Sequence, residues 1–151
     1  GHMTVVDGGE PCTCGNRGCW ELYASERAPI RWFNESNRGE PITTLQPVVE
    51  AARNGNTNAV KALHLWGQHI GVGVGNVISI LDPDVVILGG SITDVWDIVS
   101  LDIHEAAHDW GVFSRQRITT ILPTSLKDTP PLLGAAALVI RGIFHEYSMS
   151  H

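Results

Sequence analysis

The chain has 151 residues, 43% of them hydrophobic, with 10 Lys and Arg against 16 Asp and Glu and a formal net charge of −6. That length and apolar share fit one globular domain with a sizeable core and exclude a disordered chain. No basic run reaches four residues, and every apolar stretch is broken by Gly, Asp or Pro well short of 18 residues. Neither a nucleic-acid footprint nor a membrane-spanning helix is therefore written into it.

The first 19 residues, "GHMTVVDGGEPCTCGNRGC", are rich in Gly and Cys and have no regular period. All three cysteines of the chain fall here, as Cys12, Cys14 and Cys19 in the spacing C-x-C-x4-C. An odd, bunched set is a poor disulfide framework and a reasonable set of thiolate ligands, which favours a reducing cytoplasm. Zinc takes four tetrahedral thiolate or imidazole ligands, so three cysteines need one partner more. His2 lies before Cys12 at a loop length that folds back easily, and Gly15 and Gly18 give the backbone room to wrap a small ion. Free thiols or an occasional disulfide are the alternative, and three cysteines are too few for an iron–sulfur cluster. "GHM" also imitates the remnant of a cleaved tag, and spacing alone does not decide whether residues 1–3 are native. Glu21 stands two positions after Cys19, placed to accept hydrogen bonds from ligand hydroxyls. Alternatively it is a helix-start carboxylate favoured by the N-terminal dipole.

From about Trp20 to Phe33 the composition is helical, with Pro29 expected to break or restart the helix. "NESNRGEPITT" at 34–44 reads as a loop, and Pro47 suits the first turn of a short helix ending at "RNGN". The strongest helical pattern follows: Ala59, Leu63, Trp66, Ile70, Val74, Val77 and Leu81 recur at steps of three and four. Gly67, Gly71, Gly73 and Gly75 interrupt it, each costing roughly 0.8–1 kcal/mol relative to Ala in an isolated helix. They point either to close packing against a sheet or to a face kept bare for an approaching nucleotide or phosphate.

"DPD" at 82–84 stops that helix, and "VVILGGS" from Val85 reads as a buried strand running into Gly89-Gly90. Such a glycine pair brings backbone close to a ligand or simply turns the chain; no Gly-Lys-Ser/Thr follows, so it is not a P-loop. A helix around 94–110 carries "HEAAH" at 104–108, a formal match to H-E-x-x-H. With no third ligand patterned nearby, His104 and His108 read as a solvated helix face. "RITTILP" is a second strand, and "PLLGAAALVIRGIFHEY" a terminal helix from about Pro131. The alternation makes an α/β unit, and two strands are few for a complete sheet. The remainder of the sheet is expected upstream or in another chain.

Three segments, "GHMTVVDGGEPCTCGNRGCWELYAS", "ISILDPDVVILGGS" and "LLGAAALV", together resemble the carboxy-terminal part of the ROK family of repressors, open-reading-frame proteins and sugar kinases. The resemblance implies the carboxy-terminal lobe of an actin-like, ribonuclease-H-like sugar kinase fold, one domain over 1–151 with a zinc knuckle at 1–21. It places the family's zinc ligands on His2, Cys12, Cys14 and Cys19, and its sugar-hydroxyl contacts on His2 and Glu21. In kinase members the nucleotide would lie near Gly89, Gly90 and Gly134, close to the Gly71–Gly75 helix, with ATP and Mg2+ as cofactors. The family's D-x-G-x-T phosphate loop and its catalytic Asn-Asp pair are absent from these residues, as is the regulators' winged helix-turn-helix. The expectation is therefore a lobe without catalysis of its own. It would sense a small sugar or sugar phosphate and form a homo-oligomer, in a transcriptional regulator that meets DNA only through an amino-terminal domain. The alternatives are the same lobe of an ATP-dependent, glucokinase-like ROK sugar kinase, or a zinc-containing structural module.

Overall fold

A 25-residue helix organises the structure, a computed structural model that describes residues 1–37, 39–110 and 119–126. The elements before it are α1 (Glu21–Ala24), α2 (Arg27–Ser36) and α3 (Gln46–Arg53); the helix itself is α4 (Thr57–Leu81). Strand β1 (Val85–Leu88), a 3-10 turn (Ser91–Val95), α5 (Trp96–Trp110) and β2 (Thr120–Pro123) follow.

Both ends of α4 are set by local chemistry. At its start the Asn56 side chain accepts the backbone N–H groups of Asn58 and Ala59 at 3.0 and 3.1 Å, satisfying donors the helix cannot pair itself. At its end Asp82 takes the left-handed conformation (φ 43°, ψ 53°), and its N–H still reaches Ile78 O at 2.9 Å. Asp tolerates that region better than most residues, and Pro83 then prevents the helix from resuming.

The apolar face of α4 forms the core as its period predicts as far as Val74, but its last turns differ: Leu81 is exposed and Val77 half-buried, and Ile78 takes the core place instead. Leu63, Trp66, Ile70, Val74 and Ile78 are buried and pack in one cluster with Val99, Ile103 and Ala107 of α5 and Val48 and Val49 of α3. The glycines do flatten α4 for close packing, but the partner is a helix and a tryptophan rather than a sheet. A methyl on Gly67 would stand 3.1 Å from Val99 O, and one on Gly71 2.6 Å from Ile103 O, so α5 lies directly on the backbone of α4. A methyl on Gly73 would overlap the Trp20 indole. The bare-face alternative is thus excluded at these three positions, because protein already fills the space.

Other expectations need smaller corrections. Pro29 sits inside the first turn of α2, where its missing N–H costs nothing; the break comes at Ser25, whose ψ of 158° is extended. The helix also runs on to Ser36 instead of ending at Phe33, and Asn34 closes the following loop by exchanging two hydrogen bonds with Ile42 backbone, at 2.9 and 3.0 Å.

β1 and β2 pair in parallel, with Val85 opposite Thr120 and Leu88 opposite Pro123. β1 is not the buried strand that its four apolar residues suggest. Val85 is 47% and Ile87 66% exposed, while Val86 and Leu88 pack on the core, so only one face of the strand is covered. The second strand is described from Thr120. The terminal helix expected from Pro131, with Gly134, lies outside the described residues.

Candidate metal and ligand site

The first twenty residues have no helix and almost no apolar core, so backbone hydrogen bonds hold them. Residues 1–5 run antiparallel to 18–21: Glu21 N–H donates to Gly1 O, and Trp20 N–H to Met3 O, both at 2.8 Å, and Val5 N–H to Gly18 O at 2.9 Å. A second turn returns Cys12 N–H to Asn16 O at 2.8 Å and Gly15 N–H to Cys12 O at 3.0 Å. Gly18 is required where these layers meet. Its φ is +68°, and a methyl there would collide with the Val6 carbonyl.

This folding gathers the four residues singled out from the sequence. His2, Cys12, Cys14 and Cys19 each offer a donor atom within 4.8 Å of the others, the sole such group of three or more among the described residues. Cys12 Sγ lies 3.6 Å from His2 Nδ1, and Cys14 Sγ 3.5 Å from Cys19 Sγ. Around a tetrahedral zinc, Zn–S and Zn–N bonds of ordinary length put neighbouring ligand atoms roughly 3.5–3.8 Å apart. The donor set therefore fits zinc in number, type and spacing.

The thiols show the same fit electrostatically. A hydrogen bond from the Cys14 backbone, with further ones from Cys14, Cys19 and His2, lowers the Cys12 thiol to about 6. Desolvation, then the neighbouring Cys14 and Cys12 sulfurs, push Cys19 up to about 12. Packed this closely, the sulfurs cannot all ionise unless a cation shares the site.

His2 has two working faces. While Nδ1 is turned to Cys12, Nε2 lies 3.7 Å from Glu21 Oε2, and both side chains are more than half exposed. A bound ligand can thus reach the imidazole edge and the carboxylate together, immediately beside the metal cluster.

Several residues that brace this site were not legible beforehand. Arg31 on α2 donates to Glu10 Oε2 at 2.6 Å, Tyr23 Oη accepts the Glu10 N–H at 2.9 Å, and Gly18 N–H donates to Glu10 O at 2.8 Å. Glu10 is gripped from three sides, two residues before Cys12. The His69 ring of α4 packs against Tyr23 and Trp32, with centroids 4.9 and 5.6 Å away. Only the clustering of aromatic residues at 20, 23 and 32 hinted at this brace.

Gly89 and Gly90 end β1 and line a cavity of about 290 Å³ with Trp20, Ser25, Glu26, Trp66 and Ser91. Gly90 has φ +91°, a conformation that suits glycine. The histidines of "HEAAH" lie on an exposed face of α5, His104 Nδ1–H donating to Ser100 O at 2.6 Å, and they join no three-ligand group among the described residues. The solvated-face reading holds.

Fold and site together describe an α/β lobe with a Cys3His cluster in its opening loop. The chain belongs to the ROK family, which it matches over residues 1–142. It is 32% identical over 140 residues to the xylose repressor of Bacillus spizizenii (strain ATCC 23059 / NRRL B-14472 / W23), covering 93% of this chain and 36% of that protein. It is 30% identical over 154 residues to the glucokinase of Streptomyces coelicolor, covering 91% of this chain and 49% of that one. Among solved structures it superposes on a ROK family glucokinase from Streptomyces griseus in complex with glucose and AMPPNP. The TM-score is 0.77 at 29% identity, over 91% of this chain and 49% of that one. The chain thus spans half or less of the length of these relatives, which include both repressors and kinases.

Proposed function

We propose that this lobe binds a small sugar at the His2–Glu21 edge, beside a zinc ion held by His2, Cys12, Cys14 and Cys19, and serves as the sugar-sensing and dimerising lobe of a transcriptional regulator. The observation that carries the reading is the double aspect of His2, which meets the thiol cluster through Nδ1 and Glu21 through Nε2. When bound, zinc supplies a fixed charge that orders a loop with almost no core and holds the imidazole in one tautomer. Glu21 then accepts hydrogen bonds from vicinal hydroxyls, and the His2 edge presents a polar neighbour to the same sugar. A carboxylate is suited to this because charge-assisted hydrogen bonds are stronger than neutral ones. The 151 residues contain no D-x-G-x-T phosphate loop, so the lobe by itself transfers no phosphoryl group. Similarity to xylose repressors over 93% of the chain supports the regulator.

A second reading, the corresponding lobe of a sugar kinase, is favoured by the cavity at Gly89 and Gly90, where backbone is bare enough for a nucleotide to approach. In that case Gly89 and Gly90 contact ATP; Gly134, assigned with them, lies outside the described residues.

Full-length protein, purified without chelator, decides between these readings. It is expected to hold about one equivalent of zinc and to bind one of D-xylose, D-glucose or N-acetyl-D-glucosamine in calorimetry. Glu21→Gln should weaken that binding by about tenfold or more with zinc retained, and Cys14→Ala should lose both. Less than half an equivalent of zinc, or unchanged binding by Glu21→Gln, counts against the site. ATP-dependent phosphorylation of the sugar counts against the regulator.

A further inference from the structure

We infer that Trp20 is a positioning residue, which fastens the hydroxyl-binding edge to helix α4 through a socket that Gly73 leaves open. The inference rests on the sugar-binding reading above and adds to it the element that holds Glu21 and His2 in register.

The backbone of Trp20 lies between a metal-cluster thiol, Cys19, and the ligand-facing Glu21. Its own N–H pairs with Met3 O and that of Glu21 with Gly1 O, so residues 1–3, His2 among them, follow wherever residues 20 and 21 are placed. The indole is what places them. Its Nε1–H donates to His69 O at 2.8 Å, across 49 positions of sequence. That carbonyl lies four residues before Gly73, so it already faces the helical N–H of Gly73, and its second lone pair serves the indole. Gly73 makes the approach possible, since any side chain at that position would occupy the space of the indole ring. An interior helical glycine is unfavourable relative to alanine, which the socket accounts for.

Trp20 also lines the cavity that Gly89 and Gly90 share with Ser25 and Glu26. Trp20 therefore stands between the His2–Glu21 edge and the end of β1. Cys12, by contrast, is held by a turn of the loop itself, its N–H on Asn16 O and its carbonyl on Gly15 N–H. Loss of the indole should consequently loosen residues 20 and 21, and the hydroxyl-binding edge with them, while the thiolates keep the metal bound.

The test uses zinc-loaded full-length protein and the variants Trp20→Phe, Trp20→Ala, Gly73→Ala and the double variant of the last two. Zinc content, affinity for D-xylose, D-glucose and N-acetyl-D-glucosamine, and amide hydrogen exchange at residues 12–22 are measured in each. The expected result is about one equivalent of zinc throughout and affinity reduced by about tenfold or more in each single variant. Exchange should quicken at the Trp20 and Glu21 amides and stay unchanged at Cys12 and Gly15. Adding Gly73→Ala to Trp20→Ala should produce no further loss, because the methyl then meets no indole. Affinity and exchange within twofold of the parent would overturn the inference, and so would loss of zinc together with affinity. If the parent protein binds none of the three sugars, the sugar-site reading fails. The exchange comparison and the double variant then decide the role of Trp20 by themselves.

Discussion

At the scale of single residues, His69 shows how one residue serves three neighbours. Its carbonyl receives the Trp20 indole, and its ring is covered by Tyr23 and Trp32. Burial lowers its imidazole from the usual 6.5, so the fold favours the neutral form. Well above pH 6.5 neither the folded nor the unfolded state protonates this ring, and it costs nothing. As the pH falls below 6.5 the unfolded chain takes up the proton first, and stability declines until the folded value is reached. Between pH 7 and pH 5, His69→Gln should therefore lose less Tm than the parent in calorimetric melts. An equal loss in both proteins would show that His69 is not a source of acid sensitivity. The cysteines were readable from spacing alone, since C-x-C-x4-C with flanking glycines admits few other uses. The Glu10–Arg31–Tyr23 brace was not, because each member is an unremarkable surface residue until the loop folds onto α1 and α2.

Among the elements, α4 and α5 meet through close backbone contact as well as through their buried side chains. Gly71 faces Ile103 O and Ala106 Cβ at distances that leave no room for a methyl, 2.6 and 2.7 Å from an ideal Cβ. Gly71→Ala raises helix propensity, yet must separate the two helices, and overpacking of this kind costs about 1–3 kcal/mol. Urea unfolding should show a net loss of stability; a gain would mean that α5 yields easily. The periodicity of α4 was legible from Ala59 to Val74, and its stop at Asp82 as well, because a 3.6-residue repeat and a helix stop are local properties; the Asn56 cap was not read. What the glycines accommodate was not legible. A glycine in a helix announces a close approach, but the approaching group comes from elsewhere in the chain.

Over the whole molecule, the described sheet stands out as covered on one face only. Ile87 on β1 is 66% exposed, whereas Ile103 on α5 is wholly buried. In this chain Ile87→Thr should change stability by no more than about 0.5 kcal/mol, and Ile103→Ala should cost about 2–5 kcal/mol, both read from denaturant melts. If Ile87→Thr is much more costly in the longer protein than in this chain, the strand is covered there by residues outside these 151. An equal, small effect in both would place β1 on an open face. The apolar run "VVIL" was read as a buried strand because a short sequence records hydrophobicity, not which neighbours arrive to cover it.

The sequence by itself determined the thiol cluster, the long helix with its stop at Asp82, the succession of helix and strand, and the resemblance to the ROK family. All of these depend on spacing along a few adjacent residues, or on local rules of capping and period. Only the tertiary structure decided that His2 turns one nitrogen to the thiols and the other to Glu21. It also decided that Trp20 and α5, and not a sheet, occupy the hollows of α4. Those facts join groups up to 49 residues apart. Which of many apolar or polar groups meet at such a separation is settled by packing the chain as a whole, where every contact depends on the placement of the others.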